Sequence, residues 1–260
     1  MNILSFLYNE AIYRPLFNLM VFFYNVVPGH DIGIAIILLT IFVRLLFYSI
    51  NGKAIESQKK MQEIQPKIKE IQKKYKDDKE KQAKKLMEFY QKNKINPLSG
   101  CLPLLIQFPI LIALYNVFIN GFKDESLSVI YTSYISNPGH IDPSFFSFVN
   151  LSEANVYLAF IAGGLQYFQT KMLMGNKKEE KKEGEPLNKT PEEKTQEFAQ
   201  NMTKQMVYMM PVLTFVFAMS FPSGLALYWA VTTLFAIIQQ YIMFKKQKNV
   251  EIKKKIEQTI

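Results

Sequence analysis

Five apolar runs alternate with charged stretches along the chain: Ile32–Ile50, Leu102–Ile119, Val156–Met174, Met206–Phe221 and Leu225–Phe244. Each reaches or approaches the roughly 20 residues a helix needs to cross about 30 Å of hydrocarbon. The pattern predicts an all-α membrane protein with five transmembrane helices, bounded at 31–50, 98–120, 156–174, 205–221 and 224–244. The fourth run is short and holds Pro211, which implies a kink or a locally thin membrane. A sixth run, Leu16–Val27, is confined between Arg14-Pro15 and Pro28-Gly29. It is too short to span and is expected to lie flat at the membrane surface, as an amphipathic helix within residues 1–30. The other reading of this aromatic stretch is hidden core; the interfacial one is preferred.

The charged stretches have patterns of their own. Within residues 51–97, Met61, Ile64, Ile68, Ile71 and Tyr75 recur at three- and four-residue steps, the spacing of one helical face. Lys76-Asp77-Asp78-Lys79 reads as a turn, and Ala83, Leu86, Met87 and Tyr90 continue on a second helix. The expectation is a cytoplasmic hairpin of two amphipathic helices whose apolar face needs a partner or the membrane surface. Pro66 predicts a break or kink near Gln65. Residues 175–204 are rich in Lys and Glu, with Gly184 and two prolines, and are expected to form a mobile loop. Residues 121–155 form an extracytoplasmic loop, and residues 245–260 a basic tail that alternates lysines with Val250, Ile252 and Ile256.

Charge placement fixes the orientation. The net charge of +9 could suit a nucleic-acid partner, but the lysines lie between apolar runs rather than on one folded face. Asn51–Pro97 carries 14 lysines, Lys171–Lys204 carries 8 and Lys245–Ile260 carries 6, together 28 of the 31 basic residues. Basic loops stay in the cytoplasm. These three follow the first, third and fifth runs, so the topology is N-terminus outside, C-terminus cytoplasmic. The single cysteine, Cys101, excludes an internal disulfide. Met1–Glu10 has no basic region followed by an apolar core and small-residue cleavage site, so no cleaved signal is expected.

Arg44 is the residue most at odds with its surroundings. It lies about 18 Å from the outer end of its run and about 9 Å from the inner end, at 1.5 Å per residue. A charge there costs roughly 2.5–3.5 kcal/mol on insertion scales, and none of the five runs contains an Asp or Glu. Either Arg44 reaches back to the cytoplasmic headgroups, or it faces a water-filled cavity among the helices. Gln107, Gln166, Gln169, Thr232, Thr233, Gln239 and Gln240 all lie within the runs. Singly, each is ordinary interhelical glue; together they favour the cavity. Met202, Met206, Met209, Met210 and Met219 offer an adaptable surface for varied apolar helices or simply fill the fourth span.

Four motifs occur in order and cover essentially the whole chain: Val43-Arg44-Leu45; the lysine-rich hairpin; Asn96-Pro97-Leu98-Ser99-Gly100-Cys101-Leu102-Pro103 with Gln107-Phe108-Pro109-Ile110; and Phe221-Pro222-Ser223-Gly224-Leu225-Ala226-Leu227-Tyr228-Trp229. In this combination the chain resembles the YidC/Oxa1/Alb3 family of membrane protein insertases, in its short, five-span bacterial form. The resemblance implies five helices around a hydrophilic groove that opens to cytoplasm and lipid and is closed outside. It assigns the groove arginine to Arg44, the groove glutamine to Gln107 and the span-five tryptophan to Trp229, with Gln169 and Thr232 as further groove residues. The large periplasmic domain and additional N-terminal span of Gram-negative members are not seen here, nor is the short form's lipoprotein cysteine.

The implied function is insertion of nascent membrane proteins from the cytoplasm into the bilayer, at the bacterial cell membrane, without an enzymatic step, cofactor, metal or small-molecule substrate. The ribosome, through Lys245–Ile260, and a Sec-type translocon are candidate partners; composition suits anionic membrane lipids as a partner for the tail equally well. A serine–histidine or carboxylate pair for intramembrane proteolysis is missing, since His30 and His140 fall in outer loops. A small-solute transporter would show internal repeats, and a ribosome-tethering scaffold would have no need of Arg44 in the bilayer.

Overall fold

The computed structural model describes residues 3–93, 102–121, 124–174 and 208–257. These are almost entirely helical: α1 Ile3–Tyr8, a π-helical turn Asn9–Tyr13, α2 Arg14–Val26, α3 Ile32–Leu46, α4 Tyr48–Lys74, α5 Lys79–Lys92, α6 Leu102–Asn120, α7 Val156–Met174, α8 Tyr208–Ser220 and α9 Ser223–Glu257. The segment between α6 and α7 holds a 3₁₀ helix, Asp124–Val129, and one small antiparallel hairpin, β1 Ser144–Phe145 with β2 Val149–Asn150. The chain divides into two compact units, Met1–Phe42 with Ala113–Ile237, and Val43–Ile112 with Ile238–Ile260.

In the first unit, α2 buries Phe17, Met20, Val21 and Tyr24, the i, i+3, i+4, i+7 stripe of an amphipathic helix, and leaves Phe22 and Val26 exposed. Its buried face lies against protein. Asn18, also buried, accepts from the Tyr131 amide at 2.6 Å and donates to the Val129 carbonyl at 3.1 Å. Asn25 donates to the Ser136 carbonyl, and the Tyr24 hydroxyl accepts from the Asp142 amide. Helix α2 is thus tied along its length to the α6–α7 segment. It stops where Val27, extended ahead of Pro28, leaves helical geometry. Asp31 opens α3 by accepting from the Ile34 amide at 2.9 Å, and its other oxygen accepts from the Phe146 amide at 2.6 Å. Gly33 is needed because the Phe145 ring fills the place its β-carbon would take.

Helices α8 and α9 form a hairpin through Phe221-Pro222. Its turn is held from the α6–α7 segment: the Ser223 and Gly224 amides donate to the Glu153 and Leu151 carbonyls at 2.7 and 3.0 Å. Close approach sets the pairing of α7 with α8, where a β-carbon on Gly163 would lie 3.3 Å from Phe215 and from the Pro211 carbonyl. Outward faces of these helices are apolar: Phe160 and Phe168 on α7, Val212 and Val216 on α8, and Leu234 on α9 are all exposed. Apolar exposure repeated over several helices is the surface of a protein whose solvent on that side is lipid.

Between α3 and α4 the helix is interrupted at Phe47. The Ile32–Ile50 run is therefore a helix to Leu46, a break at Phe47 and the start of α4. Within the second unit, Gln239 on α9, buried, donates to the Tyr48 carbonyl at the start of α4 at 2.8 Å. A β-carbon on Gly52 would stand at ordinary contact distance, 3.5–3.6 Å, from Met243 and Gln239 side-chain atoms, so α4 and α9 leave no room there for a longer side chain. Farther along, the Lys59 ammonium sits 5.5 Å from the Phe244 ring centre. Helices α4 and α5 make the expected hairpin. Asp78 caps α5 through the Lys81 amide, and Gln82 donates to the Gln72 carbonyl at 2.7 Å. Pro66 does not break α4; it is exposed, so solvent can take the carbonyl that its missing N–H leaves. Of the hairpin's apolar stripe Ile68 is buried, whereas Met87 stays 56% exposed.

The run and the basic tail predicted as separate parts, 224–244 and 245–260, are joined in α9, which continues to Glu257. Among the described residues only Ser223–Lys246 is by itself long and apolar enough to cross a membrane; α3 with α4 qualifies as one broken pair. The described apolar stretches Gln107–Asn120 and Tyr208–Ser220 are shorter. Helix α7 has 19 residues but carries Gln166, Gln169, Thr170 and Lys171 in its second half. The Asn96–Cys101 motif, the 175–204 loop, Met202 and Met206 lie outside the described residues.

Candidate functional site

Arg44 sits in the last turn of α3. It is half-buried, with exposed Leu45 and Leu46 following it. Its Nη2 donates to Oε1 of Gln107 on α6 at 3.4 Å, within the second unit. The periodicity of α3 brings this about. Gly33, Ile36 and Thr40 face inward, and Arg44, four residues beyond Thr40, continues that row. Thr40 itself returns its hydroxyl to the Ile36 carbonyl at 2.6 Å, so its polarity is spent within the helix.

At 3.4 Å the Arg44–Gln107 contact is longer than the usual 2.7–3.2 Å of an N–H···O bond. The contact joins a cation and a neutral amide carried by two apolar helices.

A second polar pair occupies the first unit. Trp229 on α9 donates through Nε1 to Gln166 Oε1 on α7, again at 3.4 Å. One turn on, Thr232 is buried, and its hydroxyl has no hydrogen-bond partner among the described residues. Gln169, a turn beyond Gln166, is half-buried. The five residues singled out from sequence thus divide, Arg44 and Gln107 in one unit and Gln169, Trp229 and Thr232 in the other. The glutamine that meets Trp229 is Gln166. Sequence spacing alone could not choose between Gln166 and Gln169, because both fall within one helical turn and the choice depends on how α7 faces α9.

Gln239 was one polar residue among several on the last run; its role at the start of α4 depends on a carbonyl that only packing brings to it. Asp31 is another position that spacing did not single out. Its signal was there: an Asp after Pro28-Gly29-His30 and immediately before an apolar run is an N-cap. Met209 and Met219 on α8 are exposed rather than packed inside.

A helical protein with apolar outer faces, and with polar side chains set on its apolar helices, has the character of an all-α membrane protein. The chain belongs to the 60Kd inner membrane protein family, whose model matches residues 22–251. Several curated proteins with one name are similar to it. The membrane protein insertase YidC of Magnetococcus marinus is 34% identical over 236 residues, covering 91% of this chain and 36% of that protein. Those of Hahella chejuensis and Leptospira interrogans are 32% and 31% identical, covering 91% and 95% of this chain and 35% and 37% of theirs. The chain thus spans little more than a third of the length of these relatives. The family read from the motifs is the family found.

Proposed function

We propose that this chain is a membrane protein insertase of the bacterial cell membrane, crossing it five times with the N-terminus outside and the C-terminus in the cytoplasm. The observation that carries the proposal is the Arg44–Gln107 contact, a charge and an amide brought together on two apolar helices. The names of the relatives and the lysine-rich segments on one side support it. A nascent apolar segment with a short polar flank reaches the α4–α5 hairpin from the cytoplasm. The flank enters a hydrated space around Arg44 and Gln107. There an acidic side chain is attracted by the Arg44 cation and forms a charge-assisted bond with it, which offsets part of the cost of taking the flank out of bulk water. The apolar segment meanwhile moves into lipid along the exposed apolar faces. No bond is made or broken and no nucleotide is consumed by the chain. The basic tail is the candidate contact for a ribosome.

The test is insertion of model clients into vesicles containing the purified chain. Arg44→Ala is expected to lower insertion of clients with acidic outer tails, and Arg44→Lys to retain most of it, because a cation of either shape can meet a carboxylate. Equal insertion of every client by wild type and Arg44→Ala would remove Arg44 from the mechanism.

A further inference from the structure

The tip of the β1–β2 hairpin combines three features that the insertion reading leaves unused. Phe145 and Val149 close the hairpin, and between them Phe146 and Ser147 both adopt left-handed backbone, at φ 50° and 61°. Two consecutive left-handed residues normally call for Asn-Gly. A β-carbon in that region is strained, and such strain persists where the rest of the structure holds it and the side chain serves a purpose. The Asp31 carboxylate holds it here, on the Phe146 amide at 2.6 Å. The strained tip also presents two large aromatics outward: Phe146 is 58% exposed and Phe148 91%.

The hairpin is fixed at one level of the molecule. Phe145 packs on Gly33 and Asp31 caps α3, so the tip sits at the first turn of that helix. We infer that Phe146 and Phe148 form an interfacial anchor, buried in the headgroup zone of the outer leaflet, which holds the outer end of α3 at a set depth. Aromatic rings gather at the two faces of the hydrocarbon because their flat apolar bodies fit that zone. Tyr157, 76% exposed at the first turn of α7, is a residue of the same kind at the start of another helix. In water, two exposed phenylalanines on a strained turn would be a cost with no return. The membrane surface is the occupant that explains both exposure and level. The inference rests on the reading that α3 crosses the bilayer.

The experiment places an environment-sensitive fluorophore on Phe148→Cys, in a Cys101→Ser background, with the chain in pure phospholipid vesicles. A second probe on Ile41→Cys, at an exposed position of α3, reports whether that helix is in lipid. The expected result at position 148 is a blue-shifted emission, quenched more strongly by nitroxide lipids labelled near the headgroup than by those labelled deep in the acyl chain. The position-41 probe should show the reverse preference. A water-like, unquenched probe at 148 with a deeply quenched probe at 41 overturns the anchor and leaves the spanning reading intact. Loss of quenching at both positions overturns both. A probe at 148 that is exposed in pure lipid but shielded in native membranes identifies a protein as the occupant and rejects the lipid anchor.

Discussion

At the scale of single residues, the start of α3 and the α6–α7 segment depend on carboxylates used twice. Asp31 caps α3 with one oxygen and holds the hairpin with the other. Asp31→Ala should cost about 1–2 kcal/mol, the range of a lost N-cap. Asp31→Asn should cost less, because its amide oxygen still caps while its NH₂ cannot accept from Phe146. Thermal melts in detergent, followed by circular dichroism, separate the two; an Asp31→Asn variant as stable as wild type would deny Asp31 its second role. Ser147→Gly should raise the melting temperature, since an L-residue in left-handed backbone gives up roughly 1 kcal/mol that glycine does not. Asp142 adds a pH dependence. Hydrogen bonds from the Ser144 hydroxyl and amide, with a smaller contribution from His140, hold its carboxyl below the usual carboxylate range. A lowered folded-state pKa stabilises the fold above the unfolded value and loses that contribution as pH falls through the lowered one. The melting difference between wild type and Asp142→Asn should therefore be full at neutral pH and vanish below the ordinary carboxylate range. A difference independent of pH would rule out the ionised group as its source.

Among the elements, the start of α4 is tied to α9 within the second unit. Gln239 donates to the Tyr48 carbonyl, and a β-carbon on Gly52 would already be in contact with Met243 and Gln239. Gln239→Leu removes the donor and keeps the volume, and Gly52→Leu inserts a side chain where 3.5 Å separates a β-carbon from Met243 sulfur. Both should loosen the hairpin, with Gly52→Leu the more damaging because overpacking typically costs 1–3 kcal/mol. Protease cleavage within Tyr75–Asp78 is expected to quicken in both variants while cleavage near the α6–α7 segment stays unchanged. Uniform quickening would mean a general loss of fold.

On the scale of the whole molecule, the decisive property is that apolar surface is exposed while charged and amide side chains sit on the same helices. The insertion reading requires water at Arg44 and lipid at Ile41, less than one turn earlier on α3. A cysteine at position 44, in a Cys101→Ser background, should react with a membrane-impermeant thiol reagent added from the cytoplasmic side, and a cysteine at position 41 should not. Similar unreactivity at both would leave Arg44 dry and the insertion mechanism without a basis.

The sequence by itself determined the helices, the amphipathic faces and the family. These follow from local periodicity, from the punctuation of Pro28-Gly29 and Phe221-Pro222, and from motifs whose order survives without coordinates. Arg44 and Gln107 were legible for the same reason: a charge or amide in an apolar run is conspicuous wherever it folds. Tertiary structure decided what periodicity cannot encode. It chose Gln166 over Gln169 for Trp229, tied the start of α4 to Gln239 and buried the face of α2 under the α6–α7 segment. Each of these outcomes is fixed by a partner far away in sequence, and a partner's approach is a property of packing. The period of a single run carries no record of it.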